Sequence, residues 1–316
     1  MGTTQDGSTL PFMCGVEEPT RLQYDWGSEE PLGTYIVQRM AERAQVDSTG
    51  VPESLYGCID PDALEDLFRP LVDGTPRRNG EVTFTFAGHY VTANSDGTIE
   101  IESELGRLKR TGGNLLLTGD VPADVFEELS VQFLGEPNYG RTHLFALYGR
   151  DTGVARTRLD RANANLDNAR VLSHEAAVRS ATDVRTGNRP TRPSVSSVVG
   201  SLDDFQTEIL DEIFELQYQR KGFEPGQLRF CLDSLQFLSD EEGADAVEEF
   251  VRNVTETVEE VAGLGQYVFP GAYESASVQA VEPLFDVTIE LKIDEDGPTQ
   301  RWHLHDTEYT TTWFPL

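Results

Sequence analysis

Four features of this chain combine residue types and spacing that bear on chemistry: a glycine turn before a helix, an aspartate closing an apolar strand, a pair of histidines, and a concentration of arginines. The glycine turn lies in GNLLLTGDVPADVFEELSVQFL, residues 113 to 134. Leu115, Leu116 and Leu117 read as a short strand buried on both faces, as in a parallel sheet. Gly119 and Asp120 turn the chain, and Pro122 suits the first helical position, where its missing N–H costs nothing. Strand, glycine turn and helix form a frame in which nucleotide-binding folds hold phosphate. The phosphate loop G-x-x-x-x-G-K-[ST] belongs here and is not present. No lysine follows the strand, there is no second glycine, and Asp120, Asp124, Glu127 and Glu128 put negative charge where phosphate needs positive. Gly119 is kept only as a weak cofactor-binding candidate, no cofactor is expected, and no catalytic residue is assigned.

Asp233 ends the strand-like run LRFCLD and is the second weak candidate, because a strand-end carboxylate can hold Mg²⁺ together with waters. Without a phosphate loop the plainer reading, an aspartate capping the next turn, is favoured. His303 and His305 fall on one face of a strand, a geometry that can bind zinc, but no third ligand is spaced to complete a site. They are weak metal candidates, with a half-exposed edge strand as the favoured reading. Cys231 reads as a small buried apolar residue.

The arginines form an island. Net charge is −30, distributed as −15 over residues 1–140, +5 over 141–192 and −20 over 193–316. The island ends in TGNRPTRPSVSSVVGS, a Pro/Gly/Ser-rich stretch within a loop expected at 183–200, with Arg185, Arg189 and Arg192 as partner-binding candidates. Phosphate-bearing partners such as DNA are one reading. Pairing with acidic surface of the first domain or of another subunit is favoured, because high salt weakens phosphate electrostatics most. High salt enters because the chain is acidic yet well patterned and its only lysines are Lys109, Lys221 and Lys292. That composition suits a protein kept soluble in concentrated salt better than a disordered one.

The elements that must position these residues fall into two domains. After residues 1–27, a tail or strand-like arm, Pro31–Val46 reads as a helix. In SLYGCIDPDALEDLF, Asp60 is the N-cap and Pro61 the first helical residue of a second helix. Glu81–Phe86 alternates strictly, His89–Thr92 returns, and Asn94–Gly97 turns into Thr98–Ile101. Two helices and a three-stranded meander give an α+β module. With LYG, IDPDALEDLF, VTFTFAGHYV and DGTIEI, residues 28–103 resemble the haloarchaeal output domain. The resemblance implies signalling and a cytoplasmic setting, and supplies no reaction. The start MGTTQDGSTLPF has no basic opening or apolar core, no run approaches the ~20 residues of a membrane span, and the odd cysteine count fits a reducing cytoplasm.

Residues 104–111 read as a charged linker. From 112 to 316, buried strands alternate with helices: Thr142–Tyr148, a short helix at Leu159–Asn168, Ala169–Ser173, a long helix capped by Ser201, Leu228–Leu232, a helix from Asp240 through Ala262, Tyr267–Phe269, a short helix at Ser275–Phe285, and a terminal hairpin. This predicts a mainly parallel sheet with an antiparallel C-terminal hairpin. LLLTG, LRFCLDSL (where a Walker B strand would end in aspartate) and VEPLFDVTIEL-to-RWHL resemble RecA-like domains of the KaiC type, closest to haloarchaeal ones that lack the phosphate loop. The departures are the absent lysine and hydroxyl, Arg229 inside the apolar run, and no paired glutamates after the second strand. The resulting expectation is a non-enzymatic signalling or regulatory protein working through a protein partner or self-association. A nucleotide-binding protein or slow ATPase with an atypical site, and a DNA-associated regulator using residues 141–192, are the alternatives.

Overall fold

Continuous apolar strands need cover on both faces, whereas alternating ones need it on one, and the chain uses each kind in a different unit. A computed structural model describes residues 19–44, 54–75, 77–136, 139–174, 193–295 and 297–316. Two units emerge, one within residues up to 107 together with 306–310, the other comprising 108–305 and 311–316. Arg185, Arg189 and Arg192 lie outside the described residues.

The first unit holds β1 (Thr20–Gln23), α1 (Leu32–Ala44), α2 (Leu55–Cys58), α3 (Pro61–Phe68), β2 (Glu81–Phe86), β3 (His89–Asn94) and β4 (Thr98–Ser103). Its antiparallel sheet has the order β1-β4-β3-β2. Within the segment read as tail or arm, β1 adds a fourth strand to the expected meander. TRLQ has no apolar periodicity to announce it, and backbone pairing to β4 places it at the sheet edge. Asp60 caps α3 as expected, accepting from the Asp62 and Ala63 amides at 3.1 Å. Leu32, Ile36 and Met40 from α1 and Leu64 and Phe68 from α3 are buried with Val91, Ile99 and Ile101 of the sheet. Each such burial stabilises by about 1.5–3 kcal/mol.

Glu104–Thr111, expected as linker, is helix α4. The second unit follows with β5 (Gly113–Gly119), α5 (Ala123–Gln132), β6 (Thr142–Tyr148), α6 (Gly153–Arg161), β7 (Ala169–His174), β8 (Ser194–Val198), α7 (Leu202–Arg220), β9 (Leu228–Asp233), α8 (Leu235–Glu242), α9 (Ala244–Glu260), β10 (Leu264–Pro270), α10 (Ala276–Val281), β11 (Val287–Asp294) and β12 (Gly297–Leu304). Across the sheet the strands run β12-β11-β5-β10-β9-β6-β7-β8. From β11 to β8 every neighbouring pair is parallel, and β12 returns antiparallel on β11. The α/β class, the parallel sheet and the antiparallel hairpin are therefore as expected.

Three local readings change. The helix after β6 begins at Gly153 rather than Leu159, with only a 3₁₀ turn at Leu166–Asn168. The helix expected from Asp240 is two, broken at Gly243, whose φ of 85° no helix accommodates. Ser194–Val198, inside the stretch read as loop, is a strand parallel to β7. On one sheet face, Phe205, Ile209 and Ile213 of α7 and Phe250, Val254 and Val258 of α9 pack against Leu144, Phe230 and Tyr267. On the other, Ala155 and Leu159 of α6 cover Phe145, Leu147 and Cys231. Among the described residues no helix is long and apolar enough to cross a membrane.

Candidate functional site

In open parallel sheets ligands bind beyond the carboxyl ends of the strands, where neighbouring crossovers diverge. The ends of β9 and β10 and the segments that follow β5 and β6 here surround a cavity of about 210 Å³. Asp233 enters it as the last residue of β9, in register with Leu147 of β6 and Val268 of β10. Arg150 comes from the loop after β6 and Arg158 from α6.

Cys231 and Asp233 are two residues apart on β9 and so face the same way. Arg158 lies over both, with Nη1 3.2 Å from the Cys231 Sγ and Nη2 2.5 Å from the Asp233 Oδ2. The Arg158 side chain is 1% exposed and that of Asp233 likewise 1%. Arg150 approaches from the more open side, its Nε 3.2 Å from the Asp233 Oδ1. That contact has ion-pair distance without hydrogen-bond alignment, so Arg150 Nε, Arg158 Nε and Asp233 Oδ1 are all buried without a hydrogen-bond partner. Burial pulls the Arg158 pKa down, but Cys231 and Asp233 more than offset it and hold it above the usual arginine value. The Cys231 thiol is pushed up to about 11 by burial, despite the neighbouring Arg158 charge. It is an inert thiol, in keeping with its reading as a small buried residue.

Two guanidiniums around one carboxylate leave the cavity with a net charge of +1. Asp233 does not suit Mg²⁺: a dication at either oxygen must displace an arginine and then sit beside it. Nor does Asp233 cap the next helix. That role falls to Ser234, whose hydroxyl accepts from the Gln236 amide. Gly119 has a structural task, since its φ is 147° and a Cβ there would meet the Leu291 carbonyl oxygen at 2.3 Å. Its amide also donates to the Gly271 carbonyl, and Gly271 donates back.

The histidines are separated by their partners. His303 pairs with Glu290 at 3.0 Å and stacks on Tyr273, while His305 pairs with Glu282 at 3.0 Å. Among the described residues no group of three or more histidine, cysteine, aspartate or glutamate side chains could hold a metal.

Several arginines of the basic island turn inward to their own unit. Besides Arg150 and Arg158, Arg170 meets Glu212 of α7 and Arg141 donates to the Gly226 carbonyl. The sequence pairs such arginines with the acidic surface of the first domain or of another subunit and gives Arg150 and Arg158 no individual role. One signal was present. Ala155, Arg158, Leu159 and Ala162 follow helical i, i+3, i+4, i+7 spacing, which places an arginine on the inward stripe.

A mainly parallel sheet covered by helices on both faces makes this unit an α/β domain. Residues 112–291 match a family of unknown function (DUF7504), and since this is more than half the chain, the protein belongs to that family. Residues 28–103 match the Halobacterial output domain 1, the same span assigned from the sequence. Among solved structures, the chain is similar to a KaiC-like protein from the hyperthermophilic archaeon Pyrococcus horikoshii OT3, at 12% identity and a TM-score of 0.40, covering 65% of this chain and 85% of that one. It is also similar to an uncharacterized Pyrococcus horikoshii protein solved with an unknown peptide, at 10% identity and a TM-score of 0.44, covering 63% and 88%. Comparison with curated proteins returned no match.

Proposed function

We propose that the protein is a non-enzymatic signalling or regulatory component of a salt-adapted cytoplasm, acting by binding a protein partner or its own copies. An output domain next to an α/β unit supports a regulatory role. The observation that supports the non-enzymatic part is Asp233, the strand-end carboxylate whose sequence context resembles a Walker B aspartate, with both oxygens facing arginines. The turn after β5 adds no lysine and carries acidic residues, so nothing in it draws in a triphosphate. On this reading the unit is an ATPase-like scaffold that has lost its phosphate loop.

Thermal unfolding in molar KCl with and without ATP–Mg²⁺ tests it. Any ligand that binds only the native state raises its stability, by about 2.7 kcal/mol at a hundred times Kd. No shift in midpoint and no phosphate release are expected. A midpoint that climbs with ATP–Mg²⁺ replaces this reading with that of a nucleotide-binding protein. Light scattering in the same salt, followed by affinity capture, tests self-association against a partner.

A further inference from the structure

We infer that the cavity between Arg150, Arg158 and Asp233 is a binding site for a small organic monocarboxylate, an acid of about ten non-hydrogen atoms with an apolar end. Buried polar groups in native proteins are almost always hydrogen-bonded, and an exception calls for a partner. Here the Arg158 Nε–H is buried without an acceptor in the wall of the cavity, and the Arg150 Nε–H meets only the Asp233 Oδ1 at 3.2 Å, without hydrogen-bond alignment. Arg158 is wholly buried, so whatever accepts from it must occupy the cavity.

The charge, shape and size of the site select the ligand. Two guanidiniums against one carboxylate leave a single positive charge to be matched. Guanidinium forks fit the planar, bidentate geometry of a carboxylate. Asp233 within the lining opposes a second negative charge on the ligand, which disfavours phosphate dianions and triphosphates. Apolar wall is provided by Phe126, Phe237, Val268 and Pro270, and gives an acid with an apolar end an advantage over chloride that salt does not screen. The volume of about 210 Å³ lies below the roughly 300–1,000 Å³ of sites for drug-sized ligands and admits about seven waters. This site stands whether or not the chain is a regulator, because it depends only on the cavity.

The test uses the full chain in KCl at constant ionic strength, with benzoate and isovalerate as probes and benzamide, inorganic phosphate and ATP–Mg²⁺ as comparators. Thermal midpoint and calorimetric titration are the readouts. Benzoate or isovalerate is expected to raise the midpoint with concentration, benzamide and phosphate to leave it unchanged. Arg150→Met, which keeps the apolar stem and leaves the buried Arg158–Asp233 pair in place, is expected to raise Kd at least about tenfold, as loss of a charge-assisted hydrogen bond does. Ala123→Trp adds bulk to the lining without touching an ion pair and is expected to weaken binding as well. The inference is overturned by no response to either acid at tens of millimolar, by equal responses to benzamide or phosphate, or by undiminished binding in both variants.

Discussion

At the scale of single residues, the Arg158–Asp233 pair dominates the second unit. Two charges held away from water are costly, and only mutual attraction and good geometry offset the cost. Removing one partner strands the other. Asp233→Ala is therefore expected to lower the unfolding free energy by about 3–5 kcal/mol, measured by urea denaturation. Arg158→Met combined with Asp233→Asn is expected to lose less than the sum of the two single changes, since neither partner then remains as a buried unpaired charge. Additive losses would show that the pair is not coupled.

His143 offers a second test. It is buried, bonded through Nε2 to the Leu134 carbonyl, and its pKa is lowered to about 4, chiefly by desolvation and further by Arg229 and Arg141. Between its ordinary value near 6.5 and about 4, the unfolded chain binds a proton that the folded chain refuses. Stability must then fall as pH drops through that window, by an amount on the order of 3 kcal/mol for this group. His143→Gln, compared with the parent from pH 7 to 5 where most carboxylates stay ionised, is expected to flatten the slope. An unchanged slope removes His143 as its source.

At the scale of elements, close approach governs the middle of the sheet. The end of β5 sits so near β11 that only glycine fits at position 119, with its positive φ and with Leu291 across from it. Gly119→Ala is expected to lower the thermal midpoint, the backbone strain alone costing about 1–3 kcal/mol. A neutral substitution would contradict the packing of β5 on β11. The longest helix among the described residues, α7, begins with a reciprocal cap: the Ser201 hydroxyl accepts from the Asp204 amide, and the Asp204 carboxylate accepts from the Ser201 amide. Ser201→Ala is expected to cost about 1 kcal/mol, read from the same denaturation curves. Its SLDD sequence announced this cap. The division between α8 and α9 was less legible, because SDEEGADAVEEF keeps helical composition on both sides of Gly243.

At the scale of the whole molecule, net charge sets the conditions in which everything else operates. With −30 on 316 residues, self-repulsion opposes the compact state and is felt most when little salt screens it. On the proposal of salt adaptation, the thermal midpoint is expected to rise steadily from about 0.1 M KCl, where the Debye length is about 10 Å, to molar KCl. A midpoint independent of salt would remove that proposal. The acidic excess is not uniform, and the arginine-rich segment between the two acidic stretches supplies much of the charge pairing inside the second unit, through Arg150, Arg158 and Arg170.

The order and kind of most elements were legible along the chain, because hydrophobic period, capping residues and glycine turns act over a few neighbours. LLL, HLFALY and LRFCL read as strands covered on both faces, and Asp60–Pro61 as the opening of a helix. What depends on long-range pairing was decided by the tertiary structure. TRLQ became an edge strand because β4 offered it a backbone ladder, and SVSSV became a strand because β7 did. Asp233 was visible as a strand end, yet its partners lie 75 and 83 positions earlier in the chain. Only folding brings α6 and the loop after β6 over β9, so the placement of two arginines around Asp233 is a product of the tertiary structure.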